Sequence, residues 1–215
     1  MILAVAATEF EMDPYLRAVG DASSKTFVCG IGVLESCLNL TRYLEKHLGD
    51  ISAVFNFGVA GAYFGTPDKS PVLLDICMAR KEIFGDLGIC YPRRLDDLGD
   101  ELKLKKNFQM DDNLTARATE IIKANGVPVF SGNFVTVSCV SGTRERGEIL
   151  RRKYDGLCEN MEGAAIARVC EEFSLPFVEM RCISNYVEDR DPTNWRLNEA
   201  CERAGQLAAL VVKKL

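Results

Sequence analysis

A single three-layer α/β/α domain with a central mixed sheet is the fold this sequence predicts, and three observations carry it. Short apolar runs alternate along the whole chain with longer stretches whose apolar residues recur every three or four positions. The 215 residues, 47% of them hydrophobic, suffice for one sizeable core, and the most polar stretch (91–112) reads as an exposed excursion and not a linker, so one domain spans 1–215. Polar and acidic residues cluster after strand-like runs and before helix-like ones. In an open α/β sheet those positions are where ligands bind.

The elements follow in order. Residues 2–7 form an apolar strand, and a helix follows to about Val19. Thr8 with Glu11 three residues later fits a capping box. Glu11 has a second reading, as a carboxylate at a strand exit that takes a proton from water. Residues 26–29 are a strand, Gly30-Ile31-Gly32 a turn, and 33–48 a helix with Leu34, Cys37, Leu38, Leu40 and Leu44 inward. The turn lacks the third glycine of a dinucleotide fingerprint. Residues 51–57 are a central strand running into Gly58-Val59-Ala60-Gly61-Ala62. That segment is either a tight turn or a loop whose small residues let a ligand approach the backbone. It has no lysine and is not a P-loop. Residues 71–84 are strand-like, ended by Gly85-Asp86-Leu87-Gly88. A helix runs from Asn113 to Asn125-Gly126, strands occupy 127–130 and 134–140, and Ser141-Gly142-Thr143 opens a charged helix over 144–153.

The stretch from Cys158 to Arg190 organises the rest. Glu159 and Glu162 bracket Asn160-Met161, and Gly163-Ala164-Ala165 opens a helix with Ile166, Val169, Cys170 and Phe173 on one side. Ser174 and Pro176 stop it, and 177–183 is a buried strand ending at Ser184-Asn185. A carboxylate at 162 and an amide at 185 are thereby placed to face one pocket. Residues 194–215 contain the closing helix, with Leu197, Ala200, Ala204, Leu207 and Val211 on its apolar side.

Composition excludes several classes. A net charge of −5 argues against a nucleic-acid surface. No apolar run approaches the roughly 18 residues of a membrane span, and the N-terminal apolar run is too short for a signal peptide. Nine cysteines without a C-x-x-C pair point to reduced, mostly buried thiols in a cytoplasmic protein. His47, the single histidine, sits at a helix end, which leaves no ligand set for zinc and no histidine triad. Carboxylates would then do the proton work, without metal or organic cofactor.

Four segments resemble the superfamily of purine nucleoside phosphorylases and nucleosidases, in matching order over nearly the whole chain. Residues 2–11 resemble the first strand and acidic turn of the methylthioadenosine/S-adenosylhomocysteine nucleosidases. Asn56-Phe57-Gly58-Val59-Ala60-Gly61 resembles their small-residue loop. Asn160-Met161-Glu162-Gly163 resembles their ribose-binding motif, and Arg181-Cys182-Ile183-Ser184-Asn185 the strand carrying their base-recognition acid. Asn185 stands where those enzymes carry aspartate, and Val140 where they have a stacking phenylalanine. Asp86-Leu87-Gly88, VTVSCVSGT (135–143) and the 184–195 segment are similar instead to the futalosine hydrolases of menaquinone biosynthesis.

That resemblance implies hydrolysis of futalosine to hypoxanthine and dehypoxanthine futalosine. A purine nucleoside phosphorylase, or a methylthioadenosine/S-adenosylhomocysteine (aminofutalosine) nucleosidase, is the alternative. It implies Glu11, Glu162 and Asn185 as catalytic residues, with Gly58, Ala60, Gly61, Val140, Ser141, Asn160 and Met161 joining Glu162 and Asn185 around the substrate. The chemistry of Asn185 agrees: hypoxanthine offers two acceptors, O6 and N7, along one edge, and a carboxamide can donate to it where a carboxylate would repel. The expected partner is a small nucleoside, with neither nucleic acid nor membrane, in a homodimer or larger homo-oligomer whose contact includes Tyr63 and Phe64. Arg190, Asp189 and Asp191 are expected to pair with one another and fix their loop, and Trp195 either lines the pocket or anchors the last helix.

Overall fold

The computed structural model describes residues 1–20, 25–65 and 70–215. β1 (Ile2–Ala6) leads into α1 (Glu9–Val19), β2 (Lys25–Val28) into α2 (Gly32–His47), and β3 (Ala53–Ala62) crosses the centre. β4 (Ile76–Phe84) precedes a small hairpin of β5 (Ile89–Tyr91) and β6 (Arg94–Asp96), then β7 (Asn107–Gln109) and α3 (Asp112–Ala124). β8 (Val129–Thr136), α4 (Arg144–Tyr154), β9 (Gly156–Asn160), α5 (Gly163–Glu172), β10 (Phe177–Tyr186) and α6 (Leu197–Lys214) complete the order.

The sheet is mixed. β3 pairs in parallel with β1 and β10, and antiparallel with β9. β10 also pairs antiparallel with β4, which continues in parallel through β8 to β9. The strands β10, β4, β8, β9 and β3 therefore close on themselves, with β1 and β2 as an open wing on β3 and β7 on β4. Closure leaves few bare edges. Helices cover both faces. Met12 and Tyr15 of α1, Ala118 and Ile122 of α3, and Ala200 and Ala204 of α6 share one core with Phe57 and Met180. Leu40 and Leu44 of α2 and Ile166, Val169 and Cys170 of α5 form the other with Val54 and Ile183.

Four local expectations change. The small-residue segment is not a loop: β3 continues through Gly58 to Ala62, because β10 on one side supplies ladder partners to the end. Residues 127–140 hold one strand, not two, since β8 runs across Ser131-Gly132-Asn133 with a register shift between Asn133 and Phe134. Cys158 to Asn160, read as a lead-in to a helix, is the end of strand β9. In α2, Leu34 and Leu38 are 84% and 47% exposed, while the inward face runs through Ser36, Leu40 and Leu44. A serine can hold that buried position because its hydroxyl donates back to the Gly32 carbonyl at 2.8 Å.

Candidate active site

The parallel strands β1, β3 and β10 end at one cavity of about 380 Å³, a size suited to a small ligand. Glu11, Ala60, Gly61, Met161, Glu162 and Asn185 line it, with Val140, Ser141 and Asn160 along one side. Phe10, Ile31, Trp195 and Leu197 form an apolar end. Gly58 is the one predicted position outside the lining. A Cβ there would lie 2.4 Å from Glu11 Oε1 and 2.8 Å from Arg181 Nη1, so its lack of a side chain makes room for these two groups.

Glu11 occupies the third position of α1. Thr8 Oγ1 accepts from the Glu11 amide at 3.2 Å, and its hydroxyl donates to Glu11 Oε2 at 2.9 Å. The other carboxylate oxygen accepts from the Val59 amide at 3.1 Å. The capping box is thus only half formed: the hydroxyl caps the helix, but the carboxylate is drawn to β3. Glu11 therefore lines the cavity from the first turn of the helix instead of closing the cap.

Glu162 precedes α5 and is 5% exposed. Oε1 accepts from the Gly32 amide at 2.9 Å, and Oε2 lies 3.8 Å from Arg181 Nη1. The Gly30-Ile31-Gly32 turn therefore serves to aim one N–H at a carboxylate 130 residues away. Burial pushes the Glu162 carboxyl above the ordinary carboxylate range, while Arg181 and the Gly32 amide pull it back part of the way. Arg181 itself lies mid-strand and 1% exposed; its Nε donates to Glu179 Oε1 at 2.8 Å. Burial opposes its charge, but Glu179, Glu162 and Glu11 hold its pKa above the usual value. Sequence reading missed Arg181 as a site residue. The signal was present: a cation inside an apolar strand is rarely buried without paired carboxylates.

Asn185 stands just past a register shift between Ile183 and Asn185 in the pairing with β3, which turns it toward the cavity opposite Gly61. Its Oδ1 accepts from Ser184 Oγ at 2.7 Å and its Nδ2 donates to the Tyr186 carbonyl at 3.1 Å. These local bonds fix the amide plane and leave one N–H for a ligand.

Two predicted substrate contacts are committed elsewhere. The Ser141 amide and hydroxyl both donate to Glu159, at 2.8 and 2.7 Å, and Tyr63 donates to the same carboxylate at 3.1 Å. Ser141 thus lines the cavity with both its donors occupied. Asn160 Oδ1 accepts from the Glu162 and Gly163 amides at 2.9 and 2.7 Å, capping α5, while Nδ2 donates to buried Glu82. Its side chain builds the floor of the site. Asp86 accepts from the Ser138 and Cys139 amides and so holds the loop that carries Val140.

Arg190 does not pair with its acidic neighbours. Its guanidinium lies over the Trp195 ring at 4.6 Å, while Asp189 accepts from the Arg144 amide and Asp191 caps a short turn through Thr193. Trp195 lines the cavity. Tyr63, expected at an exposed contact, is 2% exposed, and Phe64 stacks on Tyr186 at 5.1 Å. His47 ends α2 against Tyr43, away from the cavity. Cys201 also lines the cavity, but burial pushes its thiol up to about 12, which removes it as a nucleophile. Among the described residues, no three His, Cys, Asp or Glu side chains are grouped to hold a metal ion, and no helix is long and apolar enough to cross a membrane.

Carboxylates at the ends of β1 and β9, a carboxamide at the end of β10 and one shared cavity define a nucleoside-cleaving type of α/β protein. The chain belongs to the phosphorylase superfamily, whose sequence model matches residues 23–215. Among particular relatives, it is 32% identical over 177 residues to the futalosine hydrolase of Thermus thermophilus, covering 80% of this chain and 73% of that one. It is 25% identical over 190 residues to the 5'-methylthioadenosine/S-adenosylhomocysteine nucleosidase of Bacillus velezensis, covering 86% and 79%. A structure described as a futalosine hydrolase mutant of Helicobacter pylori superposes with a TM-score of 0.85 at 20% identity, over 100% of this chain and 99% of that one, and shows the same fold.

Proposed function

We propose that the protein hydrolyses the N-glycosidic bond of futalosine, releasing hypoxanthine and dehypoxanthine futalosine. The observation that carries the choice of base is Asn185. It lines the same cavity as Glu11 and Glu162, with its amide plane fixed by Ser184 and Tyr186 and one N–H left to donate. Hypoxanthine presents acceptors at O6 and N7, and a mispaired buried acceptor costs about 1–3 kcal/mol. The 32% identity to a futalosine hydrolase supports the same reading.

In this mechanism the sugar sits on Met161, and Glu162 accepts from its hydroxyls. The oxygen of water bonds to C1′ as the bond from C1′ to the purine nitrogen breaks. Glu11 takes the water proton, and the bonding pair leaves with the purine, whose O6 and N7 edge Asn185 holds. The negative charge of Glu162 beside the sugar favours the cationic, oxocarbenium-like transition state. The first turn of α1 carries Glu9 and Glu11, which repel phosphate and favour water as nucleophile. The reaction needs no cofactor.

The enzyme acts in the cytoplasm as a homodimer or larger oligomer. Exposed Phe10 and Ile31 at the cavity, with exposed Leu34 and Leu38 of α2, replace Tyr63 as the apolar contact. One assay tests the activity: futalosine, aminofutalosine, inosine and methylthioadenosine, each with and without phosphate, with identification of the released base. Hypoxanthine from futalosine at a rate independent of phosphate is the expected result. Adenine release with futalosine left intact, or strict dependence on phosphate, overturns the proposal.

A further inference from the structure

Behind the cavity floor lie two carboxyls that the mechanism above does not use. Glu82 on β4 and Glu179 on β10 have no exposed surface and touch each other within hydrogen-bonding distance. Glu82 Oε2 accepts from Thr136 Oγ1 at 2.8 Å, and Oε1 accepts from the Asn160 amide. Glu179 Oε1 accepts from Arg181 Nε at 2.8 Å and from Asn56 Nδ2 at 3.1 Å. Among the described residues, none donates to Glu179 Oε2. A Cβ on Gly163 would meet Glu82 Oε1 at 2.1 Å and Glu179 Oε2 at 2.6 Å, so both oxygens crowd the same point under the first residue of α5. Two carboxylate oxygens are both acceptors, and without water they face each other only when a proton lies between them.

We propose that Glu82 and Glu179 share one proton and act as a positioning pair, Glu82 fixing Asn160 and Thr136 beneath the sugar site and Glu179 fixing Arg181 beside Glu162. The one negative charge left on the pair offsets Arg181. The other charged and titratable groups facing the pair are Glu162 before α5, Cys158 on β9 and Cys170 on α5. Among these groups Arg181 is the one cation, and the Thr136 and Asn160 donors to Glu82 only partly offset its burial. Burial, with Glu179 next, pushes the Glu82 carboxyl well above the ordinary range. Loss of the shared proton at alkaline pH would set the two carboxylates against each other and release Asn160 and Arg181 from their places.

The shared proton is independent of which nucleoside is cleaved, whereas its effect on turnover rests on the nucleosidase reading. A neutron structure of the unaltered protein at neutral pH should show one deuteron between Glu82 Oε1 and Glu179 Oε2; two bare carboxylates overturn the proposal. Glu179→Gln places an N–H where that proton lies while keeping the acceptor for Arg181. It should fold, keep kcat within about tenfold and move the alkaline limb of the kcat profile at least one pH unit higher. Glu179→Val, which removes both roles, should lower kcat about 100-fold with KM changed less than about threefold. An unshifted alkaline limb in the glutamine variant, or wild-type kcat in the valine variant, overturns the positioning role.

Discussion

Glu11 and Glu162 in front of the cavity floor and Glu82 and Glu179 behind it are all nearly or fully removed from solvent, yet they are held in different ways. Each front carboxylate accepts a backbone N–H from a distant segment, Val59 for Glu11 and Gly32 for Glu162. Both sit at element ends, where one side of the carboxyl still faces the cavity. The rear pair projects from the middle of two strands. Side-chain donors and one local amide, that of Ile83 to Glu82 Oε2 at 3.2 Å, hold it, and among the described residues no donor reaches Glu179 Oε2. The contrast shows how the same residue type serves as a charge at a strand end and as a proton holder inside the sheet. Backbone donors at an open end support ionisation, and mutual burial opposes it.

The largest test of that contrast is on the front pair. Glu11→Gln retains the shape and the contact with the Val59 amide but cannot take a proton. kcat should fall by about 10²–10⁴-fold while KM stays within a few-fold. Unchanged turnover would remove Glu11 from the chemistry and leave it a tie between Thr8 and β3. Arg181→Met joins the two regions, because this one guanidinium serves Glu179 and approaches Glu162. Leaving buried carboxylates without their cation should cost about 3–5 kcal/mol in urea unfolding. A loss below about 1 kcal/mol would mean that the two regions are not coupled through it.

Asn185→Asp probes the rim, where the side chain is partly exposed and smaller effects are expected. The carboxylate faces O6 of hypoxanthine acceptor to acceptor, so kcat/KM for futalosine should drop by about 1–3 kcal/mol of transition-state stabilisation. kcat/KM for aminofutalosine should hold or rise. Equal losses on both substrates would show that Asn185 supports the strand end and does not read the base.

The front of the site was legible in sequence and the rear was not. Glu11, Glu162 and Asn185 each break an apolar pattern at the end of a strand or before a helix, and such breaks can be read without knowing the fold. The superfamily and the likeness to a futalosine hydrolase were legible for the same reason, since their motifs sit at those ends. Glu82, Glu179 and Arg181 are interior to strands, and although the apolar run 177–183 marks Glu179 and Arg181 as buried, it does not say which charged groups they meet. Their meeting depends on β10 pairing with both β3 and β4, a closure that no local pattern states. Asn160 and Ser141 are assigned to the ligand by resemblance, because they lie within the matching motifs. Their donors and acceptors are taken by Glu82, the α5 amides and Glu159, partners far apart in sequence.

The smallest expected effect distinguishes the rear pair from the front by stability alone. The Glu82 carboxyl is raised from its ordinary value of 4.5, first by burial and next by Glu179. A carboxyl whose folded pKa lies above its unfolded one contributes its full stability below the unfolded value and loses it as pH rises through the folded one. Between those limits the folded chain retains a proton that the unfolded chain releases, and stability falls by up to about 1.4 kcal/mol per pH unit for each such group. Glu159 and Glu162 are raised as well, both by burial, and add to the slope. Urea midpoints measured from mildly acidic to alkaline pH should therefore decline steadily. Glu179→Gln, in which an amide N–H meets Glu82 and lets it ionise, should flatten that decline while leaving the part due to Glu159 and Glu162. If wild type and variant share one slope, the rear pair holds no proton, and the division between front and rear carboxyls fails.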